Sequence, residues 1–420
     1  MSAPKDGSQD LRTGAFATFF TLLLHALCSF AIASPAVLAP VASRDLGLPA
    51  ATVGVVVGLL FFAQLPTGLM TGYVFGRLSE RRVCQMIAVF VSVGFAIGAA
   101  LGLASSRWAL PLVYAGFVLL MGALFGCANG FVNTMGAQLM FRSVPARMLS
   151  IATSVKQTAV PVGGMAAGLL LPWMLLTVSW TVALAIVSAF AAAVALVIQG
   201  LPLADTPESD RRTMSVGALL APVRIIWDSP SLRELAFVAI AFNAYQLSLL
   251  GYFVTYLNIE IGLSLVAAGS VFAAMQFTAI IGRVAWGASA DFFGNTRRQL
   301  GLIAFINVAT SLAIASFSSS WPIGALVAVS VIAGGTAVSW NGMYLAETAR
   351  LAPEGKVGLT AGGIIVFLSL GGLLGPGLFA LIASLTGTYH LGFLLFAVPL
   401  LVAGLLLLMP PRWRRAVQFP

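Results

Sequence analysis

The sequence predicts an all-α polytopic membrane protein, with twelve transmembrane helices in two similar six-helix halves. Three observations carry this. Only 8% of the 420 residues are charged and 60% are hydrophobic, whereas a soluble domain carries roughly 25% charged residues. Apolar runs of twenty or more residues recur along nearly the whole chain, each long enough to cross a hydrocarbon core of about 30 Å. Two sets of residues recur in the second half at similar offsets. Strand-length alternation is missing, which excludes an outer-membrane barrel.

The elements follow in order. Residues 1–13 are short and polar and read as an N-terminal segment. The apolar run after them reaches about Pro40 without a small-residue cleavage pattern, too long for a signal peptide. Spans are predicted at 14–40, 51–76, 83–104, 109–141, 149–175 and 180–200, then at 232–257, 265–290, 299–318, 322–350, 358–384 and 390–409. Between the two sets lies the longest polar segment, Gln199 to Ser231, with Pro202, Pro207, Glu208, Asp210, Arg211 and Arg212. The expected organisation is therefore a bundle over 14–200, a linker over 201–231, a second bundle over 232–409 and a basic tail over 410–420.

Twelve spans put both termini on one side. With that side cytoplasmic, eighteen lysines and arginines fall in cytoplasmic segments and only Arg44 and Arg107 on the other side. This is the positive-inside pattern, and it accounts for the net charge of +9 without nucleic acid. An inner-membrane, multi-pass protein with cytoplasmic termini is expected. Cys28, Cys84 and Cys127 lie in or beside apolar runs without paired spacing and read as packing residues, not a metal site or disulfide framework.

The stretch that begins inside the eighth span and ends in the turn before the ninth reads GRVAWGASADFFGNTRR, from Gly282 to Arg298. Its Gly287, Asp291, Gly294, Arg297 and Arg298 resemble the loop signature of the major facilitator superfamily, which joins the second and third helices of each half. The first half holds a degenerate copy from Gly72 to Arg82, with Gly76 where Asp291 stands and Ser79 where Gly294 stands. A second repeat is clearer: at an offset of 208, Asn133 matches Asn341, Arg142 matches Arg350, and Gly163-Gly164 match Gly371-Gly372. The resemblance covers almost the whole chain and implies two six-helix bundles around a central site reached alternately from each side.

Two cations remain inside predicted spans, Lys156 and Arg283. An ionised group at mid-membrane costs at least about 2.5–3.5 kcal/mol on insertion scales, so it needs a partner or a wet cavity. Arg283 sits four residues before Gly287, and the resemblance to monocarboxylate porters and oxalate–formate exchangers implies that an arginine there holds a substrate carboxylate. A planar guanidinium fork suits that task; bracing of the helix against its neighbours is the other reading. Lys156 either faces a cavity or extends its stem to the interface. His25 belongs to a polar stripe with Thr18, Thr21, Cys28 and Ser29 and is the candidate for a coupling proton, or else a histidine satisfied by neighbouring helices. Asn133, Gln157, Asn243, Gln246, Tyr252, Trp340, Asn341 and Tyr344 complete the candidate substrate-binding set. Each amide or phenol could equally hydrogen-bond an adjacent helix.

At the cytoplasmic end the resemblance implies a gate. Its candidates are Asp291, Arg297, Arg298, Glu347, Arg350, Arg77 and Arg82, with Glu347 expected to meet Arg297 or Arg298. No nucleotide-binding loop or metal-ligand cluster is recognisable, so neither a cofactor nor enzymatic chemistry is expected. The expected function is secondary active transport of a small organic anion by a monomer, with protons as possible co-substrates. Export of amphipathic or drug-like compounds is the alternative. A non-transporting membrane sensor or assembly partner on the same fold is a third reading.

Overall fold

The computed structural model describes residues 7–47, 53–75, 77–104, 111–144, 155–201, 203, 216–293, 295–354 and 356–409. Among them every regular element is a helix. In chain order these are α1 (Gly7–Leu46), α2 (Val53–Phe75), α3 (Glu80–Ala104), α4 (Pro111–Ser143), α5 (Ala159–Met174) and α6 (Trp180–Val197). There follow α7 (Val216–Asp228), α8 (Pro230–Ile259), α9 (Leu265–Phe293), α10 (Thr296–Ala315) and α11 (Ile323–Ala337). The last three are α12 (Asn341–Leu351), α13 (Val357–Thr386) and α14 (His390–Leu408). Among the described residues, ten helical stretches are long and apolar enough to cross a membrane, and Val56–Thr67 is a shorter apolar one. With α5 in the place of the fifth span, the order agrees with twelve predicted spans.

Two elements differ from the sequence reading. The linker is not loop throughout, because VGALLAPVRIIWD is apolar enough to form α7 and pack on α13, where the Cβ of an alanine at Gly363 would lie 2.3 Å from the Pro222 carbonyl. The tenth span, expected unbroken over 322–350, is interrupted between Ala337 and Asn341, giving α11 and α12.

Helix ends follow local chemistry. Ser79 accepts the Arg82 N–H at the start of α3, Ser179 accepts the Val182 N–H at α6, and Asn295 accepts the Arg298 N–H at α10, each satisfying a donor that the first turn leaves unpaired. Pro230 opens α8, where its missing N–H does no harm. At the end of α13, Gly387 takes φ +71°, a left-handed conformation that glycine adopts without Cβ strain.

The chain divides into two compact units, residues 1–34 with 62–213 and residues 35–61 with 214–420. In the first, α3 and α6 exchange hydrogen bonds: Ser92 Oγ donates to the Ser188 carbonyl at 2.9 Å and Ser188 Oγ donates to the Ser92 carbonyl at 2.8 Å. Gly163 of α5 meets α1 so closely that an added Cβ would lie 2.3 Å from the Ala26 carbonyl. In the second, the repeat-related Gly371 of α13 would do the same 2.6 Å from the Ile240 carbonyl of α8. Small residues thus let backbones touch at equivalent crossings, as expected where apolar burial gives little drive between helices in lipid. The second unit also includes the stretch from Pro35 to Phe61, where the Ala36 carbonyl accepts from Thr255 Oγ1 of α8.

Candidate functional site

In the first unit the candidate polar groups sit on α1, α4 and the start of the α5 region. His25 is 1% exposed, on the face of α1 that carries buried Thr21, Cys28 and Ser29. Lys156 is 4% exposed. Its stem runs across Gly136 of α4, where an added Cβ would lie 2.8 Å from Cε and 3.2 Å from Nζ, and Thr21 of α1 closes on the same spot. The lysine is therefore packed between α1 and α4. It has no carboxylate within ion-pair distance among the described residues. Asn133 Nδ2 donates to the Asn129 carbonyl at 3.0 Å, and Asn129 Nδ2 donates to Gln64 Oε1 at 3.0 Å. Gln157 is half-buried beside Lys156.

In the second unit the central feature is the contact of α9 with the broken α11–α12 span. A break inside a membrane span frees carbonyl groups that lipid cannot satisfy. Here α9 supplies the donors: Trp286 Nε1 to the Gly335 carbonyl at 2.7 Å, and Arg283 Nε to the Val338 carbonyl at 3.2 Å; further into α11, Thr278 Oγ1 lies within reach of both the Met275 carbonyl of its own helix at 2.9 Å and the Val331 carbonyl at 3.0 Å. Ser339 Oγ lies 2.9 Å from the Gly334 carbonyl and 3.2 Å from the Ala279 carbonyl, within reach of both. Gly282 makes this approach possible, since a Cβ there would lie 2.7 Å from the Gly335 carbonyl oxygen. Arg283 thus does brace a neighbouring helix, and the partner is a backbone carbonyl at the break. Asn341 begins α12 just beyond it, and its Oδ1 is buried with no hydrogen-bond partner among the described residues.

The aromatic candidates are hydrogen-bonded to neighbouring helices, one of the two readings the sequence allowed. Tyr252, Trp340 and Tyr344 are 0% exposed. Tyr252 donates to the Pro376 carbonyl at 3.1 Å, Tyr344 to the Leu235 carbonyl at 2.8 Å, and Trp340 Nε1 to Gln246 Oε1 at 2.9 Å. Asn243 Nδ2 donates to the Leu368 carbonyl at 2.6 Å. These groups tie α8 to α13 and to the α11–α12 span, because a buried hydroxyl or amide in an apolar surround takes the nearest acceptor.

The expected gate pairing also changes. Glu347 is 2% exposed and is held by Arg350, one turn on, through Nε at 2.9 Å and Nη2 at 2.7 Å. Arg297 pairs with Glu234 at the start of α8, a residue the sequence reading did not single out. Its signal was an acid in the first turns of a membrane helix, at the end where the loop arginines gather. Arg298 is exposed and contributes its backbone N–H to the Asn295 cap. The side chain of Asp291 lies outside the described residues, as does Gly294. In the first unit Arg77 and Arg82 are exposed. Arg81, counted only as a charge in the sequence, lies with Nη2 3.0 Å from the Leu201 carbonyl oxygen and 3.3 Å from the Leu203 carbonyl oxygen.

The comparisons with known proteins agree with this architecture. The profile described as Major Facilitator Superfamily matches residues 18–362 and 236–418. An uncharacterized MFS-type transporter of Mycobacterium tuberculosis is 27% identical over 293 residues, 68% of this chain and 62% of that protein, so the matched region spans about three fifths of its length. Monocarboxylate transporter 13 of Rattus norvegicus is 27% identical over 342 residues, 80% of this chain and 74% of the relative. The hexuronate transporter of Bacillus subtilis is 25% identical over 374 residues, 85% of each. A bacterial homologue of the human lysosomal transporter Spinster has a similar fold, with TM-score 0.74 at 15% identity over 93% of this chain and 95% of that one.

Proposed function

The chain belongs to the Major Facilitator Superfamily, and from that premise we propose that it is a secondary active transporter of a small organic anion, a carboxylate, working by alternating access. Proton symport or anion exchange drives it, in an inner membrane with both termini cytoplasmic.

The observation that carries the anionic reading is Lys156. A cation 4% exposed, with no ion-pair partner among the described residues, is stabilised by an anion that arrives and leaves. Arg283 supports the same reading from the second unit. Its guanidinium is a planar donor fork anchored through Nε–H to Val338, and Asn341 adds a polar group at the same break. Relatives named for a monocarboxylate and a hexuronate lend weight to a carboxylate. His25, buried on α1, is the candidate proton carrier, and the pairs Arg297–Glu234 and Arg350–Glu347 are the candidate elements of the gate.

The test is a thermal-shift panel of monocarboxylates and hexuronates on purified protein, followed by uptake into proteoliposomes. A ligand that binds only the folded state raises its apparent stability. Stabilisation by one carboxylate class, lost in Lys156→Met and weakened in Arg283→Lys, is the expected result. Shifts with apolar cations or neutral drugs but with no carboxylate would overturn the anionic reading in favour of efflux.

A further inference from the structure

The end of the second unit away from Arg297 and Glu234 holds a group of side chains that the transport reading does not use. Glu260 closes α8, Tyr389 and His390 open α14, and the last carbonyls of α10 lie between them. We propose that Glu260 and His390 form a proton-binding site that fastens α8, α10 and α14 together at this end.

The argument is one of hydrogen positions. His390 Nδ1 lies 2.8 Å from the Ala315 carbonyl oxygen. A carbonyl oxygen has no proton to give, so Nδ1 carries the hydrogen. Tyr256 agrees: its hydroxyl donates to the Ile314 carbonyl at 2.7 Å, which leaves its oxygen as an acceptor toward Nδ1 at 3.1 Å. With Nδ1 protonated, the neutral ring has a bare lone pair on Nε2. That nitrogen is 3.3 Å from Glu260 Oε2, an oxygen that is buried and has no other hydrogen-bond partner among the described residues. Glu260 cannot turn away, because its Oε1 accepts the Tyr389 N–H at 2.7 Å and so caps α14. Two facing lone pairs at that separation repel, and one proton between them turns repulsion into a charge-assisted bond.

The titratable and charged groups that face the imidazole are few. Glu260 and Tyr256 come from α8, and Tyr389 precedes it on α14. From α10 come the carbonyls of Ile314 and Ala315, the negative end of that helix dipole, which favours a cation. The His390 backbone N–H goes to Thr388 Oγ1 at 3.2 Å. The His390 side chain is 37% exposed, so the proton exchanges with the aqueous phase through the open edge of the ring. Lowering the pH fills the site and closes the three helices on one another. Raising it empties the site, and the two lone pairs push α8 and α14 apart.

The test uses full-length protein in detergent. The chain has two histidines, so nitrogen NMR on histidine-labelled protein, with His25→Gln for assignment, reads the tautomer of His390 directly. At high pH the neutral ring is expected in the Nδ1–H form; an Nε2–H ring would overturn the proposal. Thermal unfolding gives a second readout. The wild type is expected to lose roughly 2 °C or more between pH 5.5 and 8. Glu260→Gln is expected to reverse the slope, since its amide keeps the Tyr389 bond and donates to Nε2 only when the ring is neutral. A profile for Glu260→Gln parallel to wild type would overturn it. Neither result depends on which substrate the protein carries.

Discussion

Arg283 donates its Nε–H to the carbonyl oxygen of Val338 across 3.2 Å, where the tenth predicted span is interrupted. The cation is thereby fixed to the interruption between α11 and α12. Arg283→Gln should lower stability by about 1–3 kcal/mol, the range for leaving a buried acceptor unsatisfied. Arg283→Lys keeps the charge but loses the fork, and a carboxylate substrate held by two parallel bonds should then be transported at least about tenfold more slowly. Chemical denaturation and proteoliposome uptake separate the two effects.

The glycines beside Arg283 have different tasks. Gly282→Ala would bring a Cβ 2.6 Å from Ser339 Oγ and 2.7 Å from the Gly335 carbonyl, so it should destabilise by about 1–3 kcal/mol. Gly287→Ala meets nothing within 4 Å and should change stability by no more than about 1 kcal/mol, in the stabilising direction. Comparing the two midpoints of unfolding checks whether α9 approaches α11 as described.

Lys156→Met should leave the fold as stable as wild type or more so, because replacing a buried cation by an apolar chain of similar length removes a desolvation penalty. Uptake of an anionic substrate should fall by more than about tenfold. A variant that melts higher and transports normally would remove Lys156 from the substrate path.

Arg350→Ala should cost more stability than Glu347→Gln, although Arg350 is the exposed member of the pair. The arginine side chain is 69% exposed and the glutamate side chain 2%, so truncating the cation leaves a buried carboxylate without its bidentate donor, whereas the amide variant removes the charge itself. A double-mutant cycle on unfolding free energies is the measurement.

Tyr389 lies outside the spans, and burial, followed by the Glu260 charge, pushes its phenol up to about 12. A folded-state value above the ordinary value near 10 means that the neutral phenol is favoured in the fold. Its stabilisation is complete below about pH 10 and is lost as pH rises through about 12. Tyr389→Phe should therefore resist alkaline unfolding better than wild type, read from helical circular dichroism.

Much of the fold was legible in the chain. Span positions follow from apolar runs, and the duplication from paired glycines that turn out to sit at equivalent crossings, Gly163 on α1 and Gly371 on α8. The candidate site was legible only in outline. Lys156 and Arg283 stand out because charge in an apolar run is conspicuous. Tyr252, Trp340 and Tyr344 looked like a ligand-facing set because helical spacing names a shared face without saying what the face meets.

The amino-acid sequence alone determined that this chain crosses a membrane many times, that it is built twice over, and that two cations lie where lipid would punish them. These are properties of composition and of spacing along one helix, and no neighbour is needed to read them. The tertiary structure decided the rest: the break at Val338, the donors α9 sends to it, Glu234 rather than Glu347 for Arg297, and the meeting of Glu260 with His390. Each depends on groups tens to more than a hundred positions apart in the chain. A buried donor takes whichever acceptor packing brings within about 3 Å, and only the packed helices specify which one that is.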